Sequence, residues 1–296
     1  MVGLPRSGST LWLHIFEQSP QLCTIGEMHF LTPWRKDFRN SLSNKVVGDL
    51  SSPEQVDQLI ELVFTGDWHN EMGEADSPAL RTIIRERLLN SDRSLGSFFK
   101  TFVEEISMFK GYDRCCVKFP VFVNHLPELL EWYPECRIVH ITRDPRAMVV
   151  SRTHYPGHTR FSEWRHLRYV VRQMMTCFVV MQYLWTSKLH TEYKGLSNYR
   201  LFRYEDLLMN PERTVRQLCD FSGIRFVPEM LHPREGQVSS ITRRKHKNFD
   251  KEGAVRWKKV ISPIKERIIT MLTSQSMKRF EYDPERHRIF LTKGMT

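Results

Sequence analysis

The chain has 296 residues, of which 41% are apolar, enough for a substantial core in one large domain or two small ones. Lys and Arg number 44 against 34 Asp and Glu, and this formal charge of +10 favours polyanionic partners without choosing among nucleotides, nucleic acid, acidic peptides and anionic membranes. The six cysteines show no Cys-x-x-Cys pair and no regular spacing, which argues against a zinc cluster or a disulfide framework and favours free thiols.

The N-terminal region carries no signal-peptide pattern, because Met1 leads directly into a glycine-containing loop. No apolar run approaches the roughly 18 residues of a membrane span, and the longest candidate, 177–185, contains Gln182. We therefore expect a cytoplasmic protein without a membrane span. The first predicted strand covers only residues 1–4, so we also expect residues upstream of Met1 to be missing from this chain.

The first part of the chain alternates between strand and helix patterns. Residues 1–4 predict a short strand, Thr10–Gln18 a helix that Ser19-Pro20 closes, and 22–27 a second strand that ends at Gly26-Glu27. A helical insertion follows over about 33–112, with its clearest helical patterns at 54–64, 79–89 and 95–109.

The strand and helix alternation returns after residue 113. Asp144 is a plausible N-cap, with Pro145 as the first residue of a helix. We predict strands over 114–119, 136–142 and 198–204, and helices over 124–132, 163–190, 212–222 and 263–277. This order predicts an α/β fold: a P-loop-like, mostly parallel central sheet flanked by helices, with ligands at the carboxyl ends of the strands.

The long helix over 163–190 carries a stripe of methionine, aromatic and aliphatic residues. Such a stripe is more often part of a core than a ligand surface, so we predict that it is buried. Its members are Val170, Val171, Met174, Met175, Phe178, Val179 and Leu184.

The opening MVGLPRSGST has the spacing of a nucleotide-binding loop that lacks its lysine. Gly3, Gly8 and Thr10 match G-x-x-x-x-G-K-[ST], but Ser9 stands at the lysine position and Arg6 lies within the loop. Backbone N–H groups at a helix N-terminus favour a bound phosphate, although an ordinary turn of small residues would look alike. Without the lysine, nucleoside triphosphate chemistry has little support.

A second stretch, RDPRAMVVS, indicates a second anion site. Arg143 follows a buried strand and Ser151 lies eight residues later in the next helix. Arginine is a bidentate phosphate donor, and a nearby hydroxyl can complete the shell of an oxyanion. Two such sites, one in each strand-to-helix turn, imply a donor with two separated phosphate groups.

These motifs resemble those of sulfotransferases that use 3′-phosphoadenosine 5′-phosphosulfate (PAPS). GLPRSGST is similar to the family's phosphosulfate loop, RDPRAMVVS to its 3′-phosphate motif, and RYEDLLMNP to the segment beneath the adenine. The resemblance covers roughly 1–32 and 114–225, with a weaker match at 238–258. It is closest to the tyrosylprotein sulfotransferase branch and its bacterial relatives, whose loop carries Arg and whose catalytic Glu follows that Arg by 21 residues, as Glu27 follows Arg6.

The resemblance implies roles for individual residues. Arg6 would stabilise the transferring sulfuryl group, Lys118 would be a second catalytic cation at the leaving phosphate, and Glu27 would be the base, with His29 as the rival base. Ser239 and Ser240 are weaker candidates for a catalytic serine. The donor-binding residues would be Arg6, Ser7, Gly8, Ser9, Thr10, Arg143, Ser151, Tyr204 and one or more of Arg243, Arg244, Lys245 and Lys247.

The resulting expectation is a single sulfotransferase domain over 1–296, with its core at 1–32 and 113–225 and a basic C-terminal cap at 226–296. The enzyme would move a sulfuryl group from PAPS to a hydroxyl-bearing acceptor, a small molecule or natural product, and release the bisphosphate PAP without a metal. Nucleic acid is not an expected partner. Two alternatives are a P-loop nucleotide kinase that needs magnesium and ATP, and a non-catalytic module that binds anionic ligands.

Overall fold

The computed structural model describes residues 1–27, 50, 52–65, 77–118, 122–153, 165–233 and 249–284. The chain divides into two compact units. Unit 1 contains Met1–Val2, Thr10–Cys136 and Cys219–Pro233, and unit 2 contains Gly3–Ser9, Arg137–Leu218 and Arg234–Thr296.

The elements that precede residue 137 contain three strands. In chain order they are β1 (Val2–Gly3), α1 (Ser9–Glu17), β2 (Cys23–Glu27), α2 (Pro53–Thr65), α3 (Pro78–Leu89), α4 (Leu95–Phe109), β3 (Cys115–Lys118), a 3₁₀ turn (Phe122–His125) and α5 (Leu126–Trp132).

The elements after residue 137 contain two strands and the longest described helix. They are β4 (Ile138–Thr142), α6 (Pro145–Thr153), α7 (Arg165–Tyr193), β5 (Tyr199–Arg203), α8 (Tyr204–Met209), α9 (Pro211–Ser222), a 3₁₀ turn (Pro228–Leu231), α10 (Glu252–Val255), a second 3₁₀ turn (Arg256–Lys259) and α11 (Pro263–Arg279).

In unit 1, β2 and β3 pair in parallel. Cys23 lies opposite Cys115, and Glu27 lies opposite Lys118 at the carboxyl ends of the two strands. The register shifts between Ile25 and Glu27. Irregularities of this kind change the direction of the side chains that follow them and are common beside active sites.

The helices of unit 1 pack through aromatic side chains. Phe64 of α2 and Phe98 and Phe102 of α4 are almost fully buried, and the Phe64 and Phe102 rings meet edge to face. Ser77 and Ser94 cap α3 and α4 by accepting backbone N–H bonds. The helical insertion predicted from the sequence is confirmed for these three helices, whose bounds agree with the predicted ranges within one residue.

In unit 2, β4 lies between β1 and β5 in a three-stranded sheet. β4 and β5 run parallel, from Ile138 opposite Tyr199 to Thr142 opposite Arg203. Gly3 at the end of β1 is required by this packing, because a Cβ there would lie 2.4 Å from the carbonyl oxygen of Ile141. The predicted α/β fold with a parallel sheet flanked by helices is confirmed.

The core of unit 2 forms where α6, α7 and α11 pack together. Its members come from the start of the loop after β1, from these three helices and from the segment after α11. They are Leu4, Met148, Val149, Val179, Val180, Tyr183, Ile269, Met277, Phe280 and Tyr282.

The prediction of a strand that ends near Tyr204 is confirmed, because β5 ends at Arg203 and Tyr204 begins α8. One prediction about unit 2 is wrong. The apolar stripe of the long helix is predicted to be buried, but Val170, Met174 and Phe178 are exposed while Val179 lies in the core. The helix has apolar side chains on both faces, and only one face packs on unit 2. Within the described ranges, no helix has the length and apolar character to cross a membrane.

Candidate active site

The loop after β1 makes a tight turn into α1. The Leu4 carbonyl accepts a hydrogen bond from the Ser7 N–H at 3.1 Å. Arg6 (φ 75°) and Gly8 (φ 92°) have left-handed backbone conformations, which cost a non-glycine residue about 1–2 kcal/mol. The turn leads to Ser9, where α1 begins with N–H groups that no carbonyl of the helix can satisfy. This geometry fits the predicted anion-binding loop.

Tyr204, the first residue of α8, lies against this loop. A Cβ on Gly8 would be 2.3 Å from Cδ2 of the Tyr204 ring, so only glycine allows this close approach. The Arg143 guanidinium stacks over the same ring, 4.3 Å from its centroid. Tyr204 therefore supports both the loop and the arginine.

Arg143 is held by backbone carbonyls immediately after β4. Its Nη2 donates to the Gly253 carbonyl at 3.0 Å and its Nη1 to the Arg6 carbonyl at 3.5 Å. Its Nε is buried and has no hydrogen-bond partner in the described part of the chain. A buried guanidinium N–H without an acceptor is costly, and an anion beside it would remove that cost.

Arg6 and Ser151 are hydrogen bonded, with Arg6 Nε donating to Ser151 Oγ at 2.9 Å. The sequence motifs assign these residues to different ends of the donor. In the structure they belong to one group, together with Arg143 and Tyr204.

Ser7 turns its side chain beneath the loop. It is fully buried, and a Cβ on Gly3 would lie 3.2 Å from Ser7 Oγ, so the hydroxyl faces β1. Its N–H bonds to the Leu4 carbonyl within the turn. Ser7 therefore stabilises the turn of the loop through its N–H and its buried side chain.

A buried network fixes the turn that carries Arg143. Asp144 caps α6 by accepting the Arg146 N–H at 2.8 Å, and the Arg146 guanidinium forms an ion pair with Asp144 at 2.7 Å. Glu205 accepts the Asp144 N–H at 3.1 Å and the Tyr282 hydroxyl at 2.6 Å. The predicted N-cap role of Asp144 is confirmed. Trp257 covers the Arg146 guanidinium, 4.6 Å from its ring.

Burial dominates the electrostatics of this network. It raises the pKa of Glu205, and the neighbouring Asp144 charge raises this pKa further. Sequence reasoning missed Glu205, Arg146, Tyr282 and Trp257 as supporting residues. The only sequence signal was that Arg146 and Glu205 lie within the two motifs, RDPR and RYED.

Unit 1 carries a second group of predicted site residues. Lys118 ends β3, and its Nζ donates to the Thr10 hydroxyl in α1 at 3.1 Å. The Lys118 side chain is buried, and burial of an ammonium group needs compensating polar partners. Glu27 lies opposite Lys118 in the strand register, but its side chain is outside the described part of the structure.

The remaining predicted residues lie outside the described ranges. They are His29, Ser239, Ser240, Arg243, Arg244, Lys245 and Lys247. Within those ranges, no group of three or more His, Cys, Asp or Glu side chains could hold a metal ion.

The chain matches a known family over most of its length. A family model described as "Sulfotransferase family" matches residues 1–228. A search of curated protein sequences found no match.

Two solved structures are similar over nearly their full length. The sulfotransferase domain from the curacin biosynthetic pathway is 20% identical, with a TM-score of 0.57, and the alignment covers 95% of this chain and 96% of that one. The sulfotransferase domain from the Synechococcus PCC 7002 olefin synthase is 19% identical, with a TM-score of 0.54, and the alignment covers 95% and 93%. At these identities the two structures show the fold alone. The family model, which spans more than half of the 296 residues, shows that the chain belongs to the sulfotransferase family.

Proposed function

We propose that this protein transfers the sulfuryl group of PAPS to a hydroxyl group of its acceptor and releases PAP. The observation that carries the proposal is the group of Arg6, Arg143, Ser151 and Tyr204 in unit 2. Arg6, Arg143 and Tyr204 follow β1, β4 and β5, which are neighbours in one sheet. Ligands of open α/β sheets bind at these strand ends.

The donor's phosphates would bind at two places. We assign the 5′-phosphate to the backbone N–H groups of Gly8, Ser9 and Thr10 at the start of α1, and the 3′-phosphate to Arg143 and Ser151. With Nε bonded to Ser151, Arg6 would meet the sulfuryl group through its Nη groups. Tyr204 already packs on Gly8 and Arg143, so an adenine contact would use the rest of its surface.

The chemistry that we propose is an in-line displacement. The acceptor oxygen forms a bond to sulfur, the bond between sulfur and the 5′-phosphate oxygen breaks, and Glu27 takes the hydroxyl proton. Arg6 and Lys118 would neutralise the charge that develops on the leaving phosphate, where fixed cations are most effective. Positioning of the two reactants and proton removal supply the remaining acceleration.

Incubation with ³⁵S-labelled PAPS and a broad panel of hydroxyl acceptors tests the reaction. We expect label in an acceptor and equimolar PAP, with no requirement for added magnesium. Magnesium-dependent turnover of ATP, or the absence of transfer to every acceptor class together with no PAP binding, would refute the proposal.

The role of Glu27 is tested separately. We expect Glu27→Gln to lower kcat at least about a hundredfold, because a positioned base contributes about 10²–10⁴-fold, while PAP affinity stays unchanged. His29→Gln is the matched variant, and we expect it to keep most of the activity. The reverse result would transfer the base role to His29.

We favour a small molecule or natural product as the acceptor, a choice supported by the names of the two similar structures, one from the curacin pathway and one from an olefin synthase. The resemblance to the tyrosylprotein branch rests on the loop arginine, Arg6, and on its spacing to Glu27. Sulfation of tyrosyl peptides, and not of small hydroxyl compounds, would reverse this preference.

A further inference from the structure

Two cysteines of unit 1 lie opposite each other on neighbouring parallel strands. Cys23 begins β2 and Cys115 begins β3, and the two residues are partners in the strand register. Register partners point their side chains to the same side of the sheet, and neighbouring strands lie about 4.7–4.9 Å apart. A disulfide spans about 4.4–6.8 Å between Cα atoms, so the backbone already permits a bond between these residues. Both thiols are free in the structure.

Three polar groups surround the Cys23 thiol. It donates to the Ser107 hydroxyl of α4 at 3.5 Å and lies beside the Cys115 thiol. The Lys110 ammonium is held close to it, because Lys110 Nζ donates at 3.2 Å to the carbonyl of Thr24, the residue after Cys23. A cysteine beside a cation and hydrogen-bond donors has the environment of a reactive thiol.

These neighbours favour the thiolate form of Cys23. The adjacent Cys115 thiol has the largest effect, and together with the Ser107 hydroxyl and the Lys110 charge it lowers the pKa of Cys23 to about 6 in spite of burial. The same contact, with burial, raises the pKa of Cys115. The pair therefore consists of one thiolate and one thiol at neutral pH. Redox-sensitive pairs have this composition, since one sulfur is oxidised first and the second resolves it.

The other four cysteines have different surroundings. Cys116 follows Cys115 on the opposite face of β3, and burial raises its pKa to about 11. Burial also raises the pKa of Cys136. Cys219 is buried beside a methionine sulfur, and Cys177 is exposed. Cys116, one residue from Cys115, is therefore a matched control.

We propose that Cys23 and Cys115 form a site of reversible oxidation, at which hydrogen peroxide converts the two thiols to a disulfide. Cys115 is only half-buried, which gives a small oxidant access to the pair. The Cys23 thiolate attacks one peroxide oxygen, the O–O bond breaks, and hydroxide leaves while Cys23 becomes a sulfenic acid. The Cys115 sulfur then forms the S–S bond, and its proton leaves with the sulfenic hydroxyl as water.

The reaction is balanced without a further reactant. Each sulfur gives up one electron, and the peroxide oxygens take up both. The released hydroxide takes up the proton that Cys23 had lost on ionisation. Two thiols and one hydrogen peroxide therefore give one disulfide and two waters, and a dithiol reductant reverses the change by thiol–disulfide exchange.

The disulfide would join the two strands that carry the proposed catalytic residues of unit 1. β2 and β3 begin with Cys23 and Cys115, and their carboxyl ends carry Glu27 and Lys118. The bond would also close the chain between residues 23 and 115 into a loop that contains α2, α3 and α4. Oxidation would thus restrain the strands beneath the proposed base and its neighbouring cation.

Thiol titration of the full chain tests the oxidation. We expect a small molar excess of hydrogen peroxide to remove two of the six thiols that are titrated after denaturation, and dithiothreitol to restore both. Neither Cys23→Ser nor Cys115→Ser should form a disulfide. Cys116→Ala, the control, should lose two thiols as the wild type does.

Mass spectrometry of the oxidised wild-type protein identifies the bonded residues without relying on the folding of any variant. Trypsin releases Cys115 and Cys116 together in the peptide CCVK, so fragmentation of the linked peptides must show which of the two is bonded to Cys23. We expect the bond at Cys115. Six surviving thiols, a sulfinic acid at Cys23 without a disulfide, or a bond through Cys116 or Cys177 would overturn the inference. Neither experiment measures PAPS turnover, so its outcome is independent of the proposed function.

Discussion

The conformation of the loop after β1 depends on the lack of a side chain at Gly8. Its backbone conformation, with φ of 92°, and the Tyr204 ring, 2.3 Å from where a Cβ would lie, both exclude other residues. Gly111 offers a comparison, because it has a φ of 78° but no atom within 4 Å of its Cβ position. A comparison of alanine variants at the two glycines therefore separates the free-energy cost of backbone strain from the cost of a collision with the Tyr204 ring.

We expect Gly111→Ala to lower the free energy of unfolding by about 1 kcal/mol, from strain alone. Gly8→Ala should lower it by at least about 2 kcal/mol and weaken PAP binding, because the Tyr204 ring or the loop must shift. Urea unfolding and PAP titration measure the two effects. Equal losses for both variants would show that Tyr204 does not pack against the loop.

Glu205 stabilises the turn that carries Arg143. We expect Glu205→Ala to lower the free energy of unfolding by about 2–4 kcal/mol, because the Asp144 N–H and the Tyr282 hydroxyl lose their acceptor inside a buried site. Glu205→Gln keeps one acceptor oxygen and should lower it by less than about half as much as Glu205→Ala does.

The pH dependence of the Gln variant gives a second readout. A carboxyl whose pKa is raised by folding stabilises at low pH, and this contribution is lost as the pH rises through its folded pKa. The unfolding free energy of Glu205→Gln relative to wild type should therefore increase with pH. A difference that is independent of pH would contradict the raised pKa of Glu205.

Three elements of unit 2 meet at one tyrosine hydroxyl. Tyr199 of β5 shares its hydroxyl with His140 of β4 and with His190 of α7, and Phe280 packs on both imidazole rings. Burial lowers the pKa of His140 to about 3, and burial together with Lys194 lowers the pKa of His190. Both imidazoles are therefore held neutral where the sheet meets its helix.

The lowered pKa values of His140 and His190 make the fold less stable at low pH. A histidine with a depressed pKa stabilises the fold above its unfolded pKa of about 6.5, and this contribution is lost as the pH falls toward about 3. We expect unfolding to cost about 2 kcal/mol less at pH 5 than at pH 8 from His140 alone. Denaturant titrations at both pH values measure the difference, and His140→Gln should reduce it. An unchanged difference in that variant would exclude His140 as its source.

The spacing of apolar residues predicts the helices and strands better than it predicts which of their faces are buried. Helix α7 is expected because its apolar residues recur at helical spacing, but a helix with two apolar faces does not show in its sequence which face is covered. By contrast, the end of β5 near Tyr204 could be predicted, because Glu205 and Asp206 provide the acidic first turn of α8. For α7, tertiary packing decides which of the two apolar faces is covered.

For the whole molecule, the α/β class follows from buried strands alternating with amphipathic helices, a pattern that the sequence contains in full. The motifs also bring together Arg6, Arg143 and Ser151, since each lies at a strand end or in the following turn or helix. The supporting contact between Glu205 and Tyr282 could not be predicted, because the two residues are 77 positions apart and Tyr282 belongs to none of the motifs.

Unit 2 should bind a nucleotide that carries both a 5′-phosphate and a 3′-phosphate. Calorimetric titration with PAP and with AMP, which lacks the 3′-phosphate, tests this most directly. We expect PAP to bind at least about tenfold more tightly than AMP, and Arg143→Ala to remove most of that difference, because charge-assisted hydrogen bonds to phosphate are worth about 1.5–3 kcal/mol. Equal affinities for PAP and AMP in the wild-type protein would contradict the proposed donor site.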